Sequence, residues 1–520
     1  MTKNQSYTIR ISLIVALGGF LMGFDASVIS GVVKFIESEF NLTKLELGWS
    51  VASLTLTATL AMMVSGPLSD RYGRRKILQV AAILFAVSAL GSAIAPNFLS
   101  LVIARMVGGF GVGAALILAP MYIAEIAPPA MRGRLVSFNQ LNIVIGISIA
   151  FFTNYLILKL GALDSNWANT LGFDKWNWRW MLGIELFPAV LFYVGLFFVP
   201  KSPRWLVMKG QTDQALFIMK QFTDVEDAKK QINDAIKSIH EEQGKEKAKL
   251  TEFFKPAYRL VLVIGVIIAI LQQITGINSV FFYAPMIFEQ SGIGTDASFI
   301  QAILVGLTNL VFTVFAILFI DKLGRKPLLL GGLAGIALCM GLLAYGFGQA
   351  TYQLSRASNL DLPSEISQSE IAPMMDVLYE NDVRFKQAIR DNLGEKKAIT
   401  YESELITSAI KMNPTLILVG ILGFVASFAI SIGPVMWVLF SELFPIKIKG
   451  AAISFVGFIN SLISYLVQQF FPWQLDTLGS SNTFLIYGLF AAVGLFFVWF
   501  VVPETKNKSL EELEGILIKK

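Results

Sequence analysis

The chain has 520 residues, 55% of them hydrophobic and only 15% charged, with a formal net charge of +5 and a mean hydropathy of +0.63. That balance excludes a water-soluble globular domain and predicts a polytopic membrane protein, whose positive charge needs no nucleic-acid partner. A single cysteine, Cys339, and a single histidine, His240 in a charged loop, leave no material for internal disulfides, zinc chemistry or histidine-based catalysis, so no enzyme is expected.

About twelve apolar stretches are long enough to cross a hydrocarbon core of roughly 30 Å: 9–31, 48–69, 77–95, 98–124, 135–160, 179–200, 258–289, 298–320, 327–349, 412–441, 451–472 and 482–503. Backbone groups in lipid need internal partners, so each stretch predicts a helix. The first runs past the short core of a signal peptide and has no small-residue cleavage site, which predicts an anchor that stays. It also contains Gly19-Phe20-Leu21-Met22-Gly23-Phe24-Asp25. An ionised Asp there costs about 2.5–3.5 kcal/mol, so Asp25 is a candidate for proton handling, with a structural ion pair as the bland alternative. At 1.5 Å per residue, Asp25 lies about 24 Å from one surface and Arg105, in the fourth stretch, about 10 Å from the other. The two depths nearly agree. A carboxylate favours its ionised form beside a guanidinium and its neutral form away from one in a dry site, so a motion that changes their distance couples protonation to access.

Asp70-Arg71-Tyr72-Gly73-Arg74-Arg75 follows the second stretch and recurs after the eighth as Asp321-Lys322-Leu323-Gly324-Arg325-Lys326. Glu125-Ile126-Ala127-Pro128 with Arg132-Gly133 recurs as Glu442-Leu443-Phe444-Pro445 with Lys449-Gly450. The repeat predicts two six-helix halves, residues 1–200 and 258–503, joined by a polar linker at 201–257 with short surface helices, and followed by a tail at 504–520. The second half carries extra chain between its marks. Segment 350–411, polar and charged on both signs, fits that extra length and is expected on the outer side, either as short amphipathic helices over the outer mouth or as a tolerated insertion with no transport role.

Basic residues crowd alternate loops: Arg71, Arg74, Arg75 and Lys76; Arg132 and Arg134; Lys322, Arg325 and Lys326; Lys447 and Lys449. Those loops are expected to face the cytoplasm, with both termini inside. In the second half, Gln272 and Gln273 on the seventh stretch, Asn309 on the eighth and Asn460 on the eleventh each fall about 17–18 Å deep. Carboxamides both donate and accept, so amides at one level suit a neutral polyol; hydrogen bonding between helices is the alternative.

With Gly73-Arg74-Arg75, Pro200-Lys201-Ser202-Pro203-Arg204, Gln272-Gln273-Ile274-Thr275-Gly276-Ile277-Asn278, Asp321-Lys322-Leu323-Gly324-Arg325 and Pro503-Glu504-Thr505-Lys506 in register, the chain resembles the sugar porter family of the major facilitator superfamily over nearly its whole length. The resemblance implies an all-α membrane fold of twelve transmembrane helices in two pseudo-symmetric halves. It implies sugar contacts from Gln140, Gln272, Gln273, Asn278, Asn309, Gly433, Trp437 and Asn460, where an aromatic ring packs on the C–H face of a pyranose. Gly433-Pro434 removes a backbone donor and lets the helix bend or break. The resemblance further implies a cytoplasmic gate network of Arg74, Arg75, Glu125 and Arg132 with Asp321, Arg325, Glu442 and Lys449, whose basic members otherwise only set topology.

Family members with Asp at the position of Asp25 resemble proton symporters, whereas uniporters commonly carry Asn. The expectation is proton-coupled import of a hexose or pentose by alternating access; facilitative uniport, a sugar sensor and export of another cargo remain as alternatives, as does sodium in place of the proton. A proton moving down 100 mV releases about 2.3 kcal/mol, enough for roughly fiftyfold accumulation. Beyond the proton no cofactor is implied. The expected partners are a monosaccharide and the lipid bilayer, and the chain is expected to work as a monomer in a bacterial inner membrane. Three positions depart from the family pattern: Ser461 replaces a Trp, Phe282 a Tyr, and Lys201 an acid.

Overall fold

The structure is a computed structural model that describes residues 3–244, 256–355, 365–445, 448–506, 508 and 512. Lys447, parts of the linker, insertion and tail, and the side chains of His240 and Asp321 lie outside the described residues. The described residues are mostly helical. In order it forms α1 (Lys3–Val28), α2 (Val33–Phe40), α3 (Lys44–Tyr72), α4 (Arg74–Ala93), α5 (Phe98–Ile126), α6 (Pro129–Gly161), α7 (Asn166–Leu171), α8 (Asn177–Gly183) and α9 (Leu186–Gly195). The linker contains α10 (Pro203–Met208), α11 (Thr212–Met219) and α12 (Val225–Gly244). Then follow α13 (Arg259–Ile274), α14 (Ile277–Glu289), α15 (Thr295–Leu323), α16 (Arg325–Gly348), α17 (Gln368–Ile371), α18 (Asp382–Leu393), α19 (Glu395–Ala409), α20 (Pro414–Ile430), α21 (Ile432–Leu443), α22 (Lys449–Thr477) and α23 (Ser480–Val501). Two short strands, β1 (Thr351–Tyr352) and β2 (Ile410–Lys411), pair antiparallel.

Among the described residues, eleven helical segments are long and apolar enough to cross a membrane. They correspond to eleven of the about twelve stretches expected from the sequence. Stretch 179–200 is two short helices, α8 and α9, with Glu185 at the N-cap of the second. Two other spans are interrupted as well. α13 stops at Ile274 and α14 restarts after Gly276, and α20 stops at Ile430 with Ser431 (φ −124°, ψ −107°) before α21. The second break precedes Gly433-Pro434 rather than falling on them, because a proline in the first turn of a new helix sacrifices no internal bond.

The motif glycines Gly73 (φ +97°) and Gly324 (φ +93°) each sit at the joint between two long helices, α3 to α4 and α15 to α16. Such a backbone turn admits only a residue without a Cβ at low cost. This joint places an arginine at the first position of the following helix in both cases.

By contacts, the chain falls into two compact units. One comprises Met1–Ser27, Ser53–Ala150 and Arg179–Lys249; the other comprises Val28–Ala52, Phe151–Trp178 and Leu250–Lys520. The first unit has its own apolar core, including Val15, Leu78, Phe85, Leu118, Tyr122 and Phe192. Small residues let its helices approach closely: a Cβ on Gly109 or Gly113 would stand 2.3 or 2.2 Å from the carbonyl oxygens of Leu54 and Ala58. In the second unit, the chain from Ala350 to Ala409 builds a separate apolar cluster around Tyr352, Leu354, Phe385, Ile389 and Leu405.

Candidate functional site

The first unit holds a buried charge cluster. Asp25 on α1 is fully buried, and one of its oxygens accepts from an Arg105 terminal nitrogen at 2.7 Å. Arg105, on α5, is 2% exposed. Its two terminal nitrogens also reach the Asp25 carbonyl at 3.4 Å. Asp25 Oδ2, Arg105 Nε and Glu185 Oε1 are buried with no hydrogen-bond partner among the described residues. Glu185 lies within electrostatic reach of both Asp25 and Arg105. A Cβ added at Gly108 would stand 3.0 Å from Asp25 Oδ2, so glycine there leaves that oxygen open.

Sequence reading did not single out Glu185. The signal was available, since it is an acid inside an apolar stretch like Asp25. Two carboxylates around one guanidinium carry a net charge of −1 when all are ionised. One added proton brings such a dry cluster to neutrality, which burial strongly favours.

The second unit holds an amide cluster. Gln272 Nε2 donates to the Gly433 carbonyl at 3.1 Å, and Gln273 Nε2 donates to Gln272 Oε1 at 3.2 Å and to Asn460 Oδ1 at 3.1 Å. Asn460 Nδ2 donates to Gln272 Oε1 at 2.7 Å and to the Ala269 carbonyl at 2.9 Å. Asn278 Nδ2 reaches Gln273 Oε1 at 2.8 Å and Ser464 Oγ at 2.7 Å. The break between α13 and α14 is what lets Asn278 fold back onto Gln273, five residues earlier. Ser464, also not singled out from sequence, stands one turn beyond Asn460 on the same face of α22. Three of the four amides expected at one level, Gln272, Gln273 and Asn460, are thus brought into one hydrogen-bonded set, which Asn278 completes.

Other sequence candidates lie outside that set. Asn309 on α15 is buried, Trp437 on α21 is 48% exposed, and Gln140 is an exposed residue of α6 in the first unit. Phe282 is buried, while the hydroxyl of neighbouring Tyr283 donates to the Gln468 carbonyl at 3.0 Å.

At the helix joints, Arg74 meets Glu125 at 3.1 Å and Asp70 at 2.7 Å, and Ser202 donates to the other oxygen of Glu125. Arg325 meets Glu442 at 2.8 Å, and Thr505 donates to that acid's second oxygen at 2.6 Å. Arg75 donates to the Phe197 carbonyl at 3.2 Å and Arg132 to that of Ala127 at 3.4 Å, so both bind backbone. Lys449 opens α22. Among the described residues, no group of three His, Cys, Asp or Glu is placed to hold a metal ion.

Comparison with known proteins places these features in context. The family described as "Sugar (and other) transporter" matches residues 11–360 and 398–517. The arabinose-proton symporter of Bacillus subtilis (strain 168) is 35% identical over 518 residues, covering 100% of this chain and 97% of that protein. The D-xylose-proton symporter of Escherichia coli (strain K12) is also 35% identical, covering 99% of this chain and 96% of its own length. Among solved structures, the inward open conformation of the E. coli xylose transporter XylE matches with a TM-score of 0.74 at 33% identity, covering 98% of this chain and 100% of that one.

Proposed function

Because the chain belongs to the sugar transporter family of the major facilitator superfamily, we propose that it imports a monosaccharide together with a proton by alternating access. The observation that carries this reading is the buried Asp25, Arg105 and Glu185 cluster, two carboxylates to one guanidinium with an open carboxylate oxygen, which is one proton short of neutrality when all three are ionised. Asp25 takes the proton and Arg105 is the cation that releases or reclaims its carboxylate. Glu185 offers the guanidinium a second partner, so Arg105 is never left unpaired while Asp25 is neutral.

Sugar hydroxyls are held by the carboxamides of Gln272, Gln273, Asn278 and Asn460, with Asn309, Gly433 and the exposed Trp437 ring beside them. These amides satisfy one another when no sugar is present, and a polyol substitutes hydroxyls for those mutual bonds without leaving an orphaned group. The breaks at Gly276 and Ser431 are the hinges that let α14 and α21 close on the sugar. The chain works as a monomer in two six-helix halves, both termini cytoplasmic. The Arg74–Glu125 and Arg325–Glu442 pairs, with Arg75, Arg132, Asp321 and Lys449, serve as the cytoplasmic gate.

The test is transport of labelled pentoses and hexoses in proteoliposomes with external pH recorded together. Asp25→Asn is expected to abolish uphill accumulation and to leave sugar counterflow intact. Accumulation that survives this change, or sugar entry by the unaltered protein with no accompanying alkalinisation, would overturn proton coupling.

A further inference from the structure

Segment 350–411 is fastened to the second-half helices on one side. Ser480 gives its N–H and hydroxyl to Asp382 of α18 at 2.8 and 2.9 Å, Lys386 donates to Gln290 at 3.2 Å, and Arg390 pairs with Asp476 of α22. On its other side the segment meets chain that joins the first and second spans. Glu402 of α19 approaches Lys44 at 3.8 Å, and Thr400 lies 3.4 Å from Ser38 of α2. Beside them, Glu289 at the end of α14 binds Lys34 at 3.0 Å and Ser403 at 2.7 Å. Gln469 donates to the Leu45 carbonyl at 2.8 Å. All of these residues belong to the same compact unit.

A cavity of about 380 Å³ lies among them, lined by Lys34, Glu37, Lys44, Glu289, Glu402 and Trp178 among others. Across it Lys34 pairs with Glu289, and Lys44 with Glu37 and Glu402. The order of charges is Glu37, Lys44, Glu402, Arg390, Asp476, alternating in sign. Lys44 binds Glu37 at 2.6 Å, from the first-half side, and Arg390 binds Asp476, from the second-half side. Glu402, between them, touches both cations, with Arg390 at 4.0 Å. When the two sides part, Lys44 keeps Glu37 and Arg390 keeps Asp476. No buried charge is stranded, so such a joint opens without the large penalty of a broken buried pair.

We propose that α18 and α19 of the insertion form an outer latch, in which Glu402 lies between Lys44 and Arg390 to hold the outer ends of the first two spans against the second half, and lets go when the outer side opens. The inference rests on the alternating-access reading, and assigns the insertion the task of setting the balance between outward-closed and outward-open states.

The test uses the full chain with Cys339→Ala, carrying spin labels at Leu45→Cys and Leu378→Cys, both exposed positions. Glu402→Gln and, separately, Lys44→Gln are each expected to raise the ratio of long-distance to short-distance populations about tenfold. The double variant should add little to either, because both act through one contact. A Glu402→Gln distribution identical to that of the unaltered protein, or fully additive effects, would overturn the latch. Labelled-sugar flux through the unaltered protein is measured alongside. Absence of flux would sink the transport reading on its own, whereas the distances alone decide the latch.

Discussion

The chain builds the same joint twice, at α3 to α4 and at α15 to α16, from different parts. In both, a glycine turn leads into an arginine that binds an acid at the end of a later helix, and a hydroxyl two residues past the apolar stretch 179–200 or 482–503 binds that acid's second oxygen. The residue before the hydroxyl differs. Glu504 accepts the N–H groups of Arg325 and Lys326 at 3.1 Å each, capping the first turn of α16. In the first joint that place is Lys201, whose ammonium lies 5.9 Å from the Trp205 ring. Trp205 in turn donates to the Asp70 carbonyl at 3.1 Å, and its ring stands 3.3 Å from where a Gly73 Cβ would be. One joint is therefore closed by a carboxylate on backbone donors, the other by an indole packed over the turn. An ion pair at a helix start tolerates either support, but only the carboxylate satisfies the orphaned N–H groups.

The largest difference between the joints should come from their acids. Glu125 and Arg74 side chains are 7% and 4% exposed, whereas Glu442 and Arg325 are 25% and 11% exposed. Glu125→Gln should lower stability by about 2 kcal/mol, since Arg74 loses a buried charged partner but keeps Asp70 at 2.7 Å. Glu442→Gln should cost only about 1 kcal/mol, as for a half-solvated pair. Thermal midpoints in detergent would measure both, and equal losses would break the comparison.

A smaller effect is expected at Glu504. Burial pushes its carboxyl up, but the backbone N–H groups of Lys506, Arg325 and Lys326 outweigh this and hold it below the usual glutamate value. Glu504→Gln should cost about 1 kcal/mol. Because its folded value is depressed, its contribution is complete above about pH 4.5. It is lost as pH falls through the folded value, so the midpoints of variant and parent should converge in acid. A deficit that persists undiminished there would mean the side chain acts by packing. The smallest effect is expected at Lys201→Glu. If the new acid caps α4 as Glu504 caps α16, stability should rise by about 0.5 kcal/mol. No gain would show that Trp205 already fills the space.

The spans were readable because apolar runs in lipid leave the backbone no choice but helix. Counting residues along them brought Asp25 and Arg105 to one depth, and they are in contact; the same count levelled Gln272, Gln273 and Asn460, which share hydrogen bonds. Asn309 shows the limit of that method, since depth says nothing of which way a side chain points around its helix. Glu185 was legible as an acid inside the apolar run 179–200, whereas the break between α8 and α9 beside it was not. The break at Ser431 was also hidden, because Pro434 draws attention to itself and serves only as a first-turn residue. In 350–411, short amphipathic helices were legible, but not that their apolar faces meet in one small cluster, because no periodicity runs from one short helix to the next.

β1 and β2 set Thr351 opposite Lys411 and Tyr352 opposite Ile410, so the chain leaves the body and returns to it at nearly one point. Cα atoms across such a ribbon stand about 5 Å apart, a gap that a tight turn spans. The extra chain is thus a cassette with adjoining ends and its own apolar filling. Joining those ends by a tight turn would keep α16 and α20 connected, at the cost of the contacts to Ser480, Gln290, Asp476 and Lys44.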